Sequence, residues 1–229
     1  MASRRRIGLT GGIATGKSSV ARCLSERFGL PVLDADRFSH EVLAPGTEAT
    51  RAVMNRYGHA IRAPQGQDEP AALDRRALAR IVFADEAERR WLERLVHPLV
   101  RHRMENALAL LESEPVVILM IPLLFETGLD ALCSEIWLVD CGDEGEQIRR
   151  LMARDQLSLD EAKARITAQW PMAAKRARAD VILDNSGEPN SWVEHVGRSL
   201  ALSDPPAVAF SDGLPSAVPP IGHDAPPTA

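Results

Sequence analysis

The stretch Gly11-Gly12-Ile13-Ala14-Thr15-Gly16-Lys17-Ser18 decides the fold. It fits the pattern G-x-x-x-x-G-K-[ST], in which glycines let the backbone curl so that successive N–H groups point inward at phosphate oxygens. The apolar segment Ile7–Thr10 before it reads as a strand, and Ser18 to Phe28 after it reads as a helix, with Gly29 at the C-cap position. A helix starting there adds the positive end of its dipole to the anion site. Lys17 can bridge the terminal phosphates of a nucleotide, and the Ser18 hydroxyl can occupy one Mg²⁺ position. From average residue usage the pattern would arise by chance about once in a hundred such chains. The motif specifies nucleotide binding but not the reaction.

Working outward, Pro31–Leu33 opens a second strand that runs into Asp34-Ala35-Asp36. Helical patterns dominate from Arg37 to Leu111, with Asp74 and Asp85 as expected N-caps and Pro98 as an expected first helical residue. Val116–Ile121 and Ile136–Val139 are unbroken apolar runs, as strands covered on both faces require. Asp143–Arg154 and Leu159–Gln169 read as helices, the second opened by the capping box Ser158-x-x-Glu161. Val181–Leu183 is a fifth strand and Glu188–Leu202 a last helix. Strands alternating with helices predict an α/β fold: a mostly parallel five-stranded sheet flanked by helices, of the P-loop NTPase type. Residues 1–202 form the expected domain, with a helical substrate lobe at about 37–111 and a helical lid at about 143–169. From 203 to 229 the chain holds seven of its 16 prolines and no Lys or Arg, so a disordered tail is expected. The stretch Ala63–Ala72 is expected to be an exposed loop.

Composition narrows the function. The 229 residues carry 27 basic and 32 acidic side chains, a net charge of −5, so no general nucleic-acid footprint is expected. The longest apolar run, Val116–Phe125, is too short for a membrane span and contains Pro122. Met1–Arg6 is basic but leads into the glycine-rich stretch rather than an apolar segment, unlike a signal peptide. Cys23, Cys133 and Cys141 are too few and too scattered for a disulfide framework or a zinc site. These features predict a globular intracellular protein.

The chemistry beyond the phosphate loop is less sharply written. No N-K-x-D segment marks a guanine-specific switch, and no carboxylate ends the strand Val116–Ile121, where a motor-type ATPase carries one. Acids stand instead at the end of the second strand. If that strand persists, Asp34 and Asp36 share a face. Asp36 is as well suited to capping the next helix as to accepting a proton from an attacking hydroxyl. Arg150 and Arg154, four apart beside Arg149, can stabilise a migrating phosphoryl group. With 24 arginines against three lysines, an exposed face balanced by Asp143, Glu144 and Glu146 is the commoner outcome of that spacing. Lys175 reads as a solvated surface lysine.

Several segments nevertheless share one order and spacing. Leu9-Thr10-Gly11-Gly12-Ile13, Asp34-Ala35-Asp36, Val42-Leu43-x-Pro45-Gly46, Leu73-Asp74-Arg75 and Ile81-Val82-Phe83 resemble the dephospho-CoA kinase family. So do His97-Pro98, Pro122-Leu123-Leu124-Phe125-Glu126, Gln169-x-Pro171-x-x-x-Lys175 and Ala179-Asp180-x-x-x-Asp184-Asn185-x-Gly187. The resemblance implies transfer of the ATP γ-phosphoryl group, with Mg²⁺, to the ribose 3′-hydroxyl of dephospho-CoA. It implies that Asp36 is the base or orienting group, and that Thr10 and Gly11–Ser18, with Ser19, hold the phosphates. Lys17 and Ser18 keep the roles given above, and Arg150 or Arg154 closes over the phosphates from the lid. Asn185 lies near the adenine of ATP, and His97 and Pro122–Glu126 face the acceptor. It further implies a cytoplasmic monomer or weak homo-oligomer whose partner is dephospho-CoA, not nucleic acid or membrane. Ala14 and Thr15 stand where the family more often has Gly-Ser, so Ala14 must adopt the backbone angle that glycine takes there. Two other readings share the phosphate loop: a kinase acting on a nucleoside or nucleotide, and a regulatory module that binds nucleotide without turnover.

Overall fold

The structure, a computed structural model, describes residues 4–63, 72–188 and 190–201. The expected tail lies outside the described residues, as does the expected loop apart from Ala63 and Ala72. Five strands form one parallel sheet: β1 (Arg5–Gly11), β2 (Val32–Asp34), β3 (Val116–Met120), β4 (Glu135–Asp140) and β5 (Val181–Asp184). Their order is β2-β3-β1-β4-β5, which puts the strand that leads into the phosphate loop at the centre. The helices are α1 (Lys17–Glu26), α2 (Ala35–Val42), α3 (Glu48–Tyr57), α4 (Arg75–Ala84), α5 (Glu86–Leu110), α6 (Glu144–Asp155), α7 (Leu159–Thr167), α8 (Met172–Arg176) and α9 (Val193–Ala201).

The two-residue period of the strands builds two cores. Ile7, Leu9, Ile118, Trp137, Val139 and Leu183 face one side, where Val20 and Leu24 of α1 and Val196 of α9 cover them. Val117 and Leu119 face the other side and pack with Val42, Val53, Leu78, Val100 and Met104 from α2–α5. A buried ion pair joins the first residues of the neighbouring strands β1 and β4: Arg5 donates to Glu135 through Nε at 2.6 Å and Nη2 at 3.0 Å, and to the carbonyls of Ser199 and Leu200. Trp137 Nε1 donates to the same carboxylate at 3.0 Å. No helix of the described residues is long and apolar enough to cross a membrane.

Helix starts follow the expected chemistry. Asp74, Asp85, Asp143 and Ser158 each accept backbone N–H groups as N-caps, and Ser158 completes its capping box with Glu161. Three expectations are corrected. First, β2 ends at Asp34, so Asp34 and Asp36 do not share a strand face, and it is Asp34 that caps α2 by accepting from Asp36 N at 2.9 Å. Second, Pro98 does not start a helix but lies inside the 25-residue α5. It has no N–H for the carbonyl of Arg94, a defect that normally costs about 3 kcal/mol. Burial of Val96, Val100, Met104 and Leu108 along one face carries the helix through it. Third, the last helix begins at Val193, not Glu188. Pro98→Ala restores the missing bond, so we expect it to raise unfolding stability by about 1–3 kcal/mol, measured by urea or thermal unfolding.

Candidate active site

The connection leaving β1 goes to α1 on one face of the sheet, whereas those leaving β2 and β3 go to the other face. Open α/β sheets bind ligands where adjacent exits part in this way, at the carboxyl ends of the strands. A cleft of about 480 Å³ opens here. Its walls are Ile13, Ala14, Gly16, Lys17, Ser18 and Ser19 from the phosphate loop, Asp36 from α2, Met120 and Pro122 beyond β3, and Arg150 and Arg154 from α6.

The loop's shape leaves little space for side chains. A Cβ on Gly11, whose φ is +153°, would stand 2.5 Å from Val139 O. Gly16 begins α1 at φ +101° and faces the Asn185 carboxamide, so a side chain is excluded there as well. Ala14 sits at φ +61°, a left-handed angle that glycine adopts more readily than alanine. Helix α1 has no side-chain cap and no acid in its first turn, so its positive end is uncompensated and open to an anion.

The remaining residues expected at the site support the loop from behind. Thr10 is fully buried and donates to Pro122 O at 3.3 Å. Thr15 is also buried, and its hydroxyl donates to Gly12 O. Asn185 donates to Thr15 O at 2.8 Å and accepts from Trp192 Nε1 at 3.1 Å, so its amide braces the loop.

Charge is finely set in this cleft. Lys17 bends back onto Gly11 O at 3.0 Å and Gly12 O at 2.6 Å. Burial, aided by the nearby cations Lys175 and Arg154, pulls its ammonium down to about 8, against the opposing pull of Asp36 and Glu126. Asp36 shifts the opposite way: burial and the Asp34 carboxylate push it up, while Lys17 and His40 restrain the shift. Because Asp34 has taken the cap, the Asp36 carboxylate is left to face the cleft. Arg150 is held by Glu146 and donates to Asn185 O at 2.9 Å, while Arg154 pairs with Asp155 at 2.7 Å. Beside Asp36 a smaller hollow of about 90 Å³ runs between α2 and α5, floored by Val96, Val100, Ile121 and Leu129, with Ser39 and His97 at its edges. Among the described residues no group of three or more His, Cys, Asp or Glu could hold a metal. The donor set instead suits a hard cation held mostly by phosphates, with the Ser18 hydroxyl and the Asp36 carboxylate at hand.

One reading from sequence fails. Lys175 is not a solvated lysine but fully buried, paired with Glu126 at 2.8 Å. Sequence reasoning also missed Gln147 and Gln169, which hold the two sides of the Ile13 peptide. The spacing Gln169-x-Pro171-x-x-x-Lys175 was the available signal, but a short turn of helix has no periodicity long enough to reveal a buried face.

Comparison with known proteins agrees with this geometry. A sequence model of the family described as dephospho-CoA kinase matches residues 5–190. A dephospho-CoA kinase of Synechococcus sp. (strain CC9605) is 58% identical over 88% of this chain and 94% of its own length. One from Prochlorococcus marinus (strain MIT 9313) is 54% identical over 84% of this chain and 94% of its own. Among solved structures, TT1252 from Thermus thermophilus superposes with a TM-score of 0.72 at 38% identity, covering 86% of this chain and 97% of that one. A dephospho-CoA kinase from Campylobacter jejuni gives 0.64 at 25% identity, over 86% and 96% of the two chains. With its parallel sheet, its phosphate loop and an acid facing Lys17 across the cleft, this chain belongs to the dephospho-CoA kinase family.

Proposed function

We propose that the enzyme transfers the γ-phosphoryl group of ATP to the ribose 3′-hydroxyl of dephospho-CoA, giving coenzyme A and ADP in the final step of coenzyme A synthesis. The observation that carries this reading is Asp36, left free by Asp34, facing the mouth of the phosphate loop with an apolar hollow beside it. Asp36 accepts the 3′-hydroxyl proton as the oxygen attacks the γ-phosphorus, and the bond from that phosphorus to the β-bridging oxygen breaks to release ADP. Lys17 leaves its carbonyl partners for the phosphates, while the loop N–H groups and the start of α1 bind them. Arg150 and Arg154 stabilise charge on the migrating group from α6. Ser18 would hold Mg²⁺, which neutralises phosphate charge when bound. The α2–α5 region acts as the acceptor lobe, with His97 at the edge of its hollow, and α6–α7 as the lid. Within this reading the enzyme works in the cytoplasm on a small-molecule partner, as a monomer or weak homo-oligomer, without nucleic acid or membrane. The net charge of −5 supports the exclusion of nucleic acid.

The deciding experiment is coupled ADP release with Mg-ATP, with and without dephospho-CoA, beside a panel of nucleosides. Release that requires dephospho-CoA and yields coenzyme A is expected; release only with a nucleoside would overturn the acceptor. Asp36→Asn should lower kcat by about 10²–10⁴-fold while binding of a non-hydrolysable ATP analogue stays nearly unchanged. Near-normal turnover in that variant would remove Asp36 from the reaction. Because Lys17 titrates near 8 in the free enzyme and phosphates favour its charged form, analogue affinity should fall as pH rises through about 8. Lys17→Arg, which stays charged there, should remove that step, and calorimetry across roughly pH 7–9, about one unit either side of the shifted lysine, reads both.

A further inference from the structure

The Pro122–Glu126 loop after β3 and the Gln169–Pro171 turn after α7 meet at a buried ion pair that the phosphoryl-transfer roles leave unused. Lys175 Nζ lies 2.8 Å from Glu126 Oε1 and donates to Pro122 O at 3.5 Å. The same Glu126 oxygen accepts Trp170 N at 2.9 Å. Glu126 Oε2 is buried without a hydrogen-bond partner among the described residues. A buried pair left partly unsatisfied is a poor source of stability, because apolar side chains of similar size often serve as well. Its placement therefore calls for another explanation.

That explanation lies in what the pair joins. The Trp170 ring stacks on Phe125 with centroids 5.8 Å apart, and Arg178 covers both rings at 5.4 and 5.5 Å. One residue earlier, Gln169 Oε1 accepts Ile13 N at 2.9 Å, so the same turn grips the phosphate loop. Pro122, held from beneath by Thr10 and Lys175, is a wall of the cleft, as is Ile13. Acceptor-side and donor-side walls thus have one anchor in common, the Gln169–Trp170 turn, beside the separate holds of Thr10 on Pro122 and Gln147 on Ile13.

We propose that Glu126 and Lys175 are positioning residues that tie the acceptor loop and the phosphate loop to this shared turn, so that each substrate on binding orders the site of the other. The proposal rests on the reading that Pro122–Glu126 serves the acceptor. Ordering the turn once lowers the entropic cost of the second binding event, and the coupling is the same in both directions.

The test is calorimetric titration of the full chain with Mg²⁺ and a non-hydrolysable ATP analogue, with and without saturating dephospho-CoA. In the wild type the acceptor should tighten analogue binding by about tenfold, within the usual range of such couplings. Gln169→Ala cuts the tie to Ile13 at a half-buried position and should bring that ratio close to one. Glu126→Leu/Lys175→Met removes the pair and should do the same. Glu126→Gln/Lys175→Met keeps an acceptor for Trp170 N and should recover part of the coupling. A purely structural pair would lower thermal stability and both affinities while leaving their ratio alone. A wild-type ratio in Gln169→Ala, or no coupling in the wild type, overturns the proposal. Should the Leu/Met variant fail to fold, Gln169→Ala decides the matter. Wild-type ADP release with dephospho-CoA, run alongside, separates the two ideas: release without coupling sinks only this proposal, and no binding of dephospho-CoA sinks both.

Discussion

The site is built around a piece of main chain that must curl tightly enough to present N–H groups to a phosphate. That curl needs left-handed backbone at Ala14 and Gly16, and it leaves Gly11 pressed against Val139 O. Curled backbone with no regular ladder of its own needs support from elsewhere. Here Asn185 takes Thr15 O, Gln147 and Gln169 take the two sides of the Ile13 peptide, and Thr15 folds back on Gly12 O. These supports come from the segments after β4, α7 and β5, so side chains as far as 170 positions along the chain keep eight residues in one shape. The strain of a non-glycine residue at Ala14, of order 1–2 kcal/mol, is held in place by the same contacts.

Electrostatics follow from that enclosure. Where burial strips water from a charged group, a lysine loses hold of its proton and a carboxylate gains hold, and both shifts are present in this one cleft. Each group restrains the shift of the other. The cations are also engaged in advance: Lys17 with loop carbonyls, Arg150 with Glu146, Arg154 with Asp155. Any anion that recruits these cations has to displace those partners, so the energy it gains is a difference between contacts rather than that of bare charge. The exposed pairs among them contribute little by themselves.

The helical region from α2 to α5 shows packing overriding local preference. Pro98 marks a helix start by every local rule, yet the buried face of α5 runs straight past it. The small hollow beside Asp36 lies where α5 passes over the start of α2, so the course of this helix shapes that hollow.

Much was legible in order along the chain. The phosphate loop, its flanking strand and helix, the five strands and the caps Asp74, Asp85 and Ser158 are all set by short-range chemistry: glycine freedom, two-residue periodicity and oxygens that accept free N–H groups. Local pattern left Asp36 as fit to cap α2 as to act as a base, because that choice depends on where β2 stops, and β3 sets that stop through its register. It also left Lys175 looking like a surface cation, since five residues of helix carry no readable face. Its burial against Glu126 joins positions 49 apart, and a contact that distant is decided by how the sheet brings β3 and α8 together. Sequence by itself therefore determined that this chain binds nucleotide on a parallel sheet. Tertiary structure decided which acid faces the lysine, and which buried charges hold the two sides of the cleft together, because those depend on desolvation and distance rather than on neighbours along the chain.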